Sequence, residues 1–169
     1  MNLQPLCSSP HVSVYYDSSN DWLYVEWEGN ITLPVAQQAC VQLARCVLAR
    51  PYARVLNNNA QLTSVDLQVS AWLVYHFMPH LTLAGVKHMA WVCSPALSGL
   101  SMVKTIMHWL PRLEATVFTD MEGAVSWLQQ RRSPAAQPPR PAATQAQLAA
   151  VVADLERAAP SRSRPGVLK

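Results

Sequence analysis

Residues 11–28 read HVSVYYDSSNDWLYVEWE, two alternating runs of β-branched, aromatic and polar side chains around a polar pentad. His11 to Tyr16 and Leu23 to Glu28 keep a period of two, the mark of half-buried strands. Asp17-Ser18-Ser19-Asn20-Asp21 supplies turn chemistry between them. The stretch therefore predicts an antiparallel hairpin. After it the period changes. Thr32 is a plausible N-cap, Pro34 sits in the first turn where a missing N–H costs nothing, and Pro51 stops the helix. Val35, Ala36, Ala39, Cys40, Leu43, Cys46 and Val47 form its apolar stripe, with Gln37, Gln38, Gln42 and Arg45 lying away from it.

The alternation then continues. Arg54 to Asn57 reads as a short strand, ended by a polar loop through Asn58 and Asn59. A second helix runs from about Asp66 to Leu81, and Lys87 to Cys93 is a strand. Ser94-Pro95 opens a third helix with Leu100, Val103, Ile106, Met107 and Leu110 inward, closed by Pro111. Ala115 to Thr119 is the last strand, and Asp120 caps a fourth helix through Ala124, Trp127 and Leu128. Strand–helix alternation after a hairpin predicts an α/β fold: a mostly parallel five-stranded sheet with four helices and right-handed crossovers. These elements fit within residues 11–131, behind an N-terminal extension, 1–10. Residues 132–143 are a Pro-rich linker. Thr144 and Gln147 make a capping box for a C-terminal helix over 144–159, with Leu148, Val151, Val152 and Leu155 on one face. A helix of this length is marginal alone, so it either docks or frays. Residues 160–169 are expected to be a disordered tail.

Half of the 169 residues are hydrophobic and 14% are charged, enough for one domain with a real core. No apolar run reaches the ~18 residues of a membrane span. Residues 1–10 carry neither the charged nor the apolar region of a secretory signal, so a cytoplasmic location is expected. The net charge of +3 resides in the tail: residues 1–131 hold 7 basic against 8 acidic side chains, and residues 132–169 hold 6 against 2. A basic face for nucleic acid is therefore not expected. Cys7, Cys40, Cys46 and Cys93 show no zinc-finger or C-x-x-C spacing. Cys40 and Cys46 stand about 9 Å apart along one helix, too far to bridge. Free, mostly buried thiols are the expectation.

The ordered set Tyr16-Asp17, Trp22 to Trp27, Val55 to Asn59, Pro79, Ala84 to Lys87, Met89 to Val92 with Ser94-Pro95, and Phe118 to Leu128 resembles small bacterial STAS-like proteins. The resemblance spans about residues 12–130. It implies the fold shared by STAS and CRAL-TRIO domains, a superhelix of βα turns. Among better known relatives, anti-sigma-factor antagonists bind a partner and are switched by phosphorylation at an Asp-Ser-Ser-Gly type motif. The corresponding stretch here, Leu62-Thr63-Ser64-Val65-Asp66-Leu67, keeps two hydroxyls but lacks the glycine and the Asp-Ser order.

Several residues are candidates for a site. A phosphate on Thr63 or Ser64 would lie by a helix N-terminus, although Ser64 as a plain N-cap, which needs no regulation, is the favoured reading. On the second helix, Leu67, Ala71, Val74, Met78 and Leu81 are expected to face the sheet. Val69, Trp72, Leu73, His76 and His80 gather opposite, as a partner-binding stripe anchored by Trp72 with the histidines at the rim. Asn58, Asn59, Thr63 and Ser64 would add loop contacts. His76 and His80 have metal-like spacing, but Pro79 intervenes and no third ligand is apparent, so no metal is expected. Cys93, at a strand end before a helix, could carry a lowered pKa; a small buried residue is the plainer reading. No phosphate-binding loop, dinucleotide glycine set, nucleophile elbow or carboxylate pair stands out, so no cofactor and no enzymatic activity are expected. The residues point to a STAS-like protein-interaction module, self-associating or bound to another protein. The second reading is a carrier of a small hydrophobic ligand, held between the second and third helices and the sheet.

Overall fold

The computed structural model describes residues 1–94, 113–132 and 139–159. Strands β1 (Leu3–Ser9), β2 (Val12–Asp17) and β3 (Trp22–Ile31) form an antiparallel meander. Strands β4 (Arg54–Val65), β5 (His88–Cys93) and β6 (Glu114–Phe118) join it in parallel, giving a six-stranded sheet in sequential order. The helices are α1 (Leu33–Ala49), α2 (Leu67–Trp72), α3 (Met78–Leu83), α4 (Met121–Gln129) and α5 (Ala142–Ala158). A π-helical turn, Leu73–Phe77, joins α2 to α3. None of the described helices is long and apolar enough to cross a membrane.

Alternation along the strands divides the core in two. Val14, Leu23, Val25, Val55 and Met89 face a layer built from α1, the α2–α3 segment and α5. Trp22, Tyr24, Leu56, Ala90 and Val92 face Ala124 and Leu128 of α4. Asp120 caps α4 through its carboxylate, which accepts from the Gly123 N–H at 2.7 Å. Buried Arg54 donates to the carbonyl of Leu128 at the other end of the helix, 3.1 Å away.

Three expectations need correction. The sheet has six strands, not five, because part of the presumed N-terminal extension pairs with β2. Asn57 to Ser64 is not a loop: β4 runs on to Val65, paired with β3 as far as Ile31. Ser64 is accordingly a strand residue, and Asp66 stands at the N-cap of α2. The second helix is also interrupted. Pro79 lacks the N–H that an unbroken helix would bond to Tyr75, and its ring crowds that carbonyl. The chain widens just before it, and the Met78 N–H reaches back five residues to Leu73. The third predicted helix lies outside the described residues, as do 133–138 of the linker and 160–169.

The tight turn between β2 and β3 is organised by Asp17, whose carboxylate accepts from Asn20 Nδ2 (2.7 Å), the Asn2 N–H (3.0 Å) and the Ser19 N–H (3.1 Å). Burial works to raise the Asp17 pKa, but these donors outweigh it and the net shift is downward. Asp21 closes the turn with φ of 56°, a left-handed conformation that Asp tolerates.

Helix α5 docks on α1 and α3 with Leu148, Val152 and Leu155 buried. Arg140, just before it, clamps the end of α1. Its Nη1 donates to the Leu48 carbonyl (3.0 Å), and its Nη2 reaches the carbonyls of Ala84 (2.8 Å), Arg50 (3.2 Å) and Val47. A cation among the last carbonyls of a helix satisfies orphan acceptors and complements the helix dipole.

Two outcomes are expected. Arg140→Ala should cost about 1–3 kcal/mol by losing charge-assisted bonds; denaturant unfolding and faster amide exchange across α5 check it. Asp17→Asn should lower the melting temperature at neutral pH. Because the folded carboxylate pKa lies below its unfolded value, the wild-type advantage is complete above the ordinary carboxylate range. It disappears as the pH falls through the folded value, and melting curves taken down the acid range should converge.

Candidate functional site

The candidate residues separate into a buried polar seam in the sheet and an exposed helical face. In the seam, Asn57 Oδ1 accepts from Trp27 Nε1 at 2.9 Å, so an indole that is 8% exposed keeps a partner. On the opposite face, Asn58 Nδ2 donates to Tyr24 Oη (2.9 Å) and Glu26 Oε1 (3.2 Å), while the Tyr24 hydroxyl donates to Glu26 at 2.9 Å. Burial first, then the Glu26 charge, pushes the Tyr24 pKa up to about 12 despite the Asn58 bond, so the phenol stays a donor at neutral pH. Asn59 is also buried, opposite Cys93. Asn58 and Asn59 thus belong to the sheet interior and not to a contact loop. Thr63 and Ser64 are exposed, and Ser64 Oγ donates to Asn30 on β3.

On the α2–α3 segment the inward and outward faces differ from the expected ones. Val69 is buried at 2% exposure and packs in the core together with Phe77, Met78 and Leu81. Leu67 is 81% exposed and Tyr75 72%, with Ala71 also exposed between them. A uniform 100° per residue over 16 residues cannot reproduce this, because the π turn adds a residue and rotates α2 about the helix axis relative to α3. Trp72, Leu73 and Val74 are half-buried. The Trp72 ring lies nearly parallel to Phe77 (6.4 Å between centroids, 13°) and to His76 (6.2 Å, 25°), so Trp72 serves the fold as well as the surface. His76 is exposed; His80 is half-buried. Burial lowers the His80 pKa, opposed by the charge of Asp154 on α5 and assisted by His76. Among the described residues no third His, Cys, Asp or Glu joins these histidines as a metal ligand.

Cys93 is buried, and burial pushes its thiol up to about 11, the opposite of an activated nucleophile. A groove of about 820 Å³ runs between the β1–β2 turn, α1 and the end of α5. It is lined by His11, Gln38, Gln42, Arg45 and Glu156 among others, and the Arg45–Glu156 ion pair (2.7 Å) spans it. Its lining mixes these polar groups with Pro10, Val35, Val41 and Ala159. The pocket envisaged for an apolar cargo abuts the third predicted helix, outside the described residues.

A single unbroken helical phase misplaces Leu67 and passes over Tyr75. The signal available in sequence is Pro79, whose position forces a break one turn earlier. Nothing local marks the Asn triplet as strand, since Asn is depleted in strands and common in turns.

Comparison with known proteins places these features. Residues 22–129 match the SpoIIAA-like family model, a span from β3 to the end of α4. No curated protein matches the sequence. Among solved structures, the chain is similar to an uncharacterised protein of the DUF3478 family with a SpoIIAA-like fold from Shewanella loihica PV-4. The two are 16% identical with a TM-score of 0.52, over 73% of this chain and 98% of that one. Strands β1 and β2 and helix α5 lie outside the span of the family match.

The seam makes a stability prediction. Asn57→Leu keeps the branching at Cγ but removes the acceptor and strands the Trp27 N–H in the core, and should cost about 1–3 kcal/mol. Equilibrium unfolding, with Trp fluorescence reporting the altered indole environment, measures it.

Proposed function

Since this chain belongs to the SpoIIAA-like family, we propose that it is a non-enzymatic protein-interaction module whose contact face is the outer side of α2 and the π turn. The observation that carries this reading is the row Leu67, Ala71 and Tyr75, recurring every fourth residue on the surface, with two large apolar side chains more than two-thirds exposed. Apolar side chains scattered singly are ordinary, but a row of them beside a partly covered Trp72 is a contact surface. His76 lies at its edge and Thr63 and Ser64 at the approach to α2. The occupant is a protein surface with an apolar stripe, a second copy of this chain or another cytoplasmic protein.

The experiment places a photo-crosslinking amino acid at position 75 and, as a control, at position 122 on α4. Crosslinked species should appear from position 75, either as dimers of the pure chain or as adducts in extract. Leu67→Ser should remove them with no change in melting temperature. In the unlabelled chain Tyr75→Ala should weaken association about tenfold or more, the scale of an aromatic hot spot, as read by sedimentation at graded concentrations. Equal crosslinking from both positions would reject the face. A monomer retaining an apolar ligand of a few hundred daltons in native mass spectrometry would favour the carrier reading instead.

A further inference from the structure

Two thiols meet where the edge strand crosses the end of α1. Cys7 Sγ and Cys46 Sγ lie 3.7 Å apart, from residues 39 positions distant in sequence. The contact depends on an irregularity in β1. Pro5 pairs with Tyr15 but Cys7 pairs with Val14, so Leu6 is an extra residue in the ladder. Had the ladder run on regularly, Leu6 would oppose Val14, and Cys7 would oppose Ser13 on the other face of the sheet. The bulge turns Cys7 inward, onto the face where Val14 packs under α1. Both thiols are half-buried, whereas Cys40 and Cys93 are fully buried, and β1 is at the edge of the sheet.

We infer that Cys7 and Cys46 are an oxidative modification site: a reversible disulfide that ties the edge strand to α1 when a small-molecule disulfide is the oxidant. The Cys7 thiolate attacks one sulfur of the oxidant; that S–S bond breaks and one small thiolate leaves, forming a mixed disulfide. The Cys46 thiolate then attacks the Cys7 sulfur and expels the second small thiolate. Two protein thiols are oxidised, one small disulfide is reduced to two thiols, and the two protons released by the cysteines go to the leaving groups. Cys7 is the entering nucleophile. Burial, and then the neighbouring Cys7, push the Cys46 thiol up to about 12, which keeps it from being the entering thiol. Once Cys7 is in the mixed disulfide its charge no longer opposes Cys46 ionisation, and the 3.7 Å proximity carries the second step. Cys40, completely buried, has its pKa raised by desolvation and stays reduced. The bridge would close a loop of the size that disulfides stabilise well, fixing a strand otherwise held mainly by its ladder to β2.

The test incubates the native full-length chain with oxidised glutathione, quenches in acid, and counts free thiols by alkylation after unfolding. The expected result is a fall from four alkylated cysteines to two, in a monomer, with one peptide pair joining residues 7 and 46. The melting temperature should rise by several degrees and return on reduction. Cys46→Ser should trap glutathione on Cys7, and Cys7→Ser should leave Cys46 free; neither variant should show the thermal shift. The inference is overturned if all four thiols survive, if wild-type Cys7 keeps glutathione as a stable adduct, or if a different pair or an intermolecular bridge forms.

Discussion

The parallel ladder between β3 and β4 is the constraint on which the rest of this fold depends. It runs from Leu23 opposite Val55 to Ile31 opposite Val65, beyond the reach of β5, which ends opposite Asn59. Each strand sends alternate residues to both cores, so a one-residue slip would exchange Leu23 and Val25 with Trp22 and Tyr24. Hydrophobicity alone resists that slip weakly here, since both faces are apolar. The polar seam resists it strongly. Trp27 finds its acceptor on Asn57, and Tyr24 and Glu26 find Asn58, only in the observed register. A buried donor left without a partner costs more than the bond itself contributes, so these pairs fix alignment more than they add stability.

That exchange between specificity and local propensity explains which parts of the fold are legible in sequence. The hairpin, α1, β5, β6 and α4 announce themselves because period, caps and breakers agree, as at Pro34, Asp120 and the alternation of residues 11–28. Strand β1 is hidden by Pro5 and by the extra residue Leu6, features that an edge strand accommodates readily. The far half of β4 is hidden by the asparagine triplet, in which Asn57 and Asn58 find side-chain partners on β3 some thirty residues away. No local rule contains that information, because the compensation is tertiary.

The candidate site is legible in part for a related reason. The α2–α3 segment stands out as a surface of interest, but its orientation does not, because Pro79 and the π turn divide it into two phases. Met78 and Leu81 are expected inward and are buried, while Val69 and Leu67 exchange places on the preceding turn. Trp72, expected as a free anchor, lies against Phe77. The exposed row is a consequence of that geometry: once Val69, Phe77, Met78 and Leu81 take the inner face, Leu67 and Tyr75 have nowhere to go but out.

The elements beyond the family span converge on the last turn of α1. That turn carries no basic side chain of its own, and its terminal carbonyls would lack partners. Arg140 supplies them from the chain segment before α5, bonding to Val47, Leu48 and Arg50. Arg50 in turn holds the β2–β3 turn through Asp21 (2.8 Å) and Tyr16 (3.1 Å). Cys46, one residue before Val47, meets Cys7 of the edge strand. One helix end therefore receives the hairpin turn, the first strand and the last helix. Backbone acceptors left uncapped by the helix's own sequence hold the segment before α5 through Arg140, while the Cys46 and Arg50 side chains meet the edge strand and hold the hairpin turn. The end of α1 is thus the junction of all three, so a substitution there touches the edge strand, the hairpin turn and the last helix together.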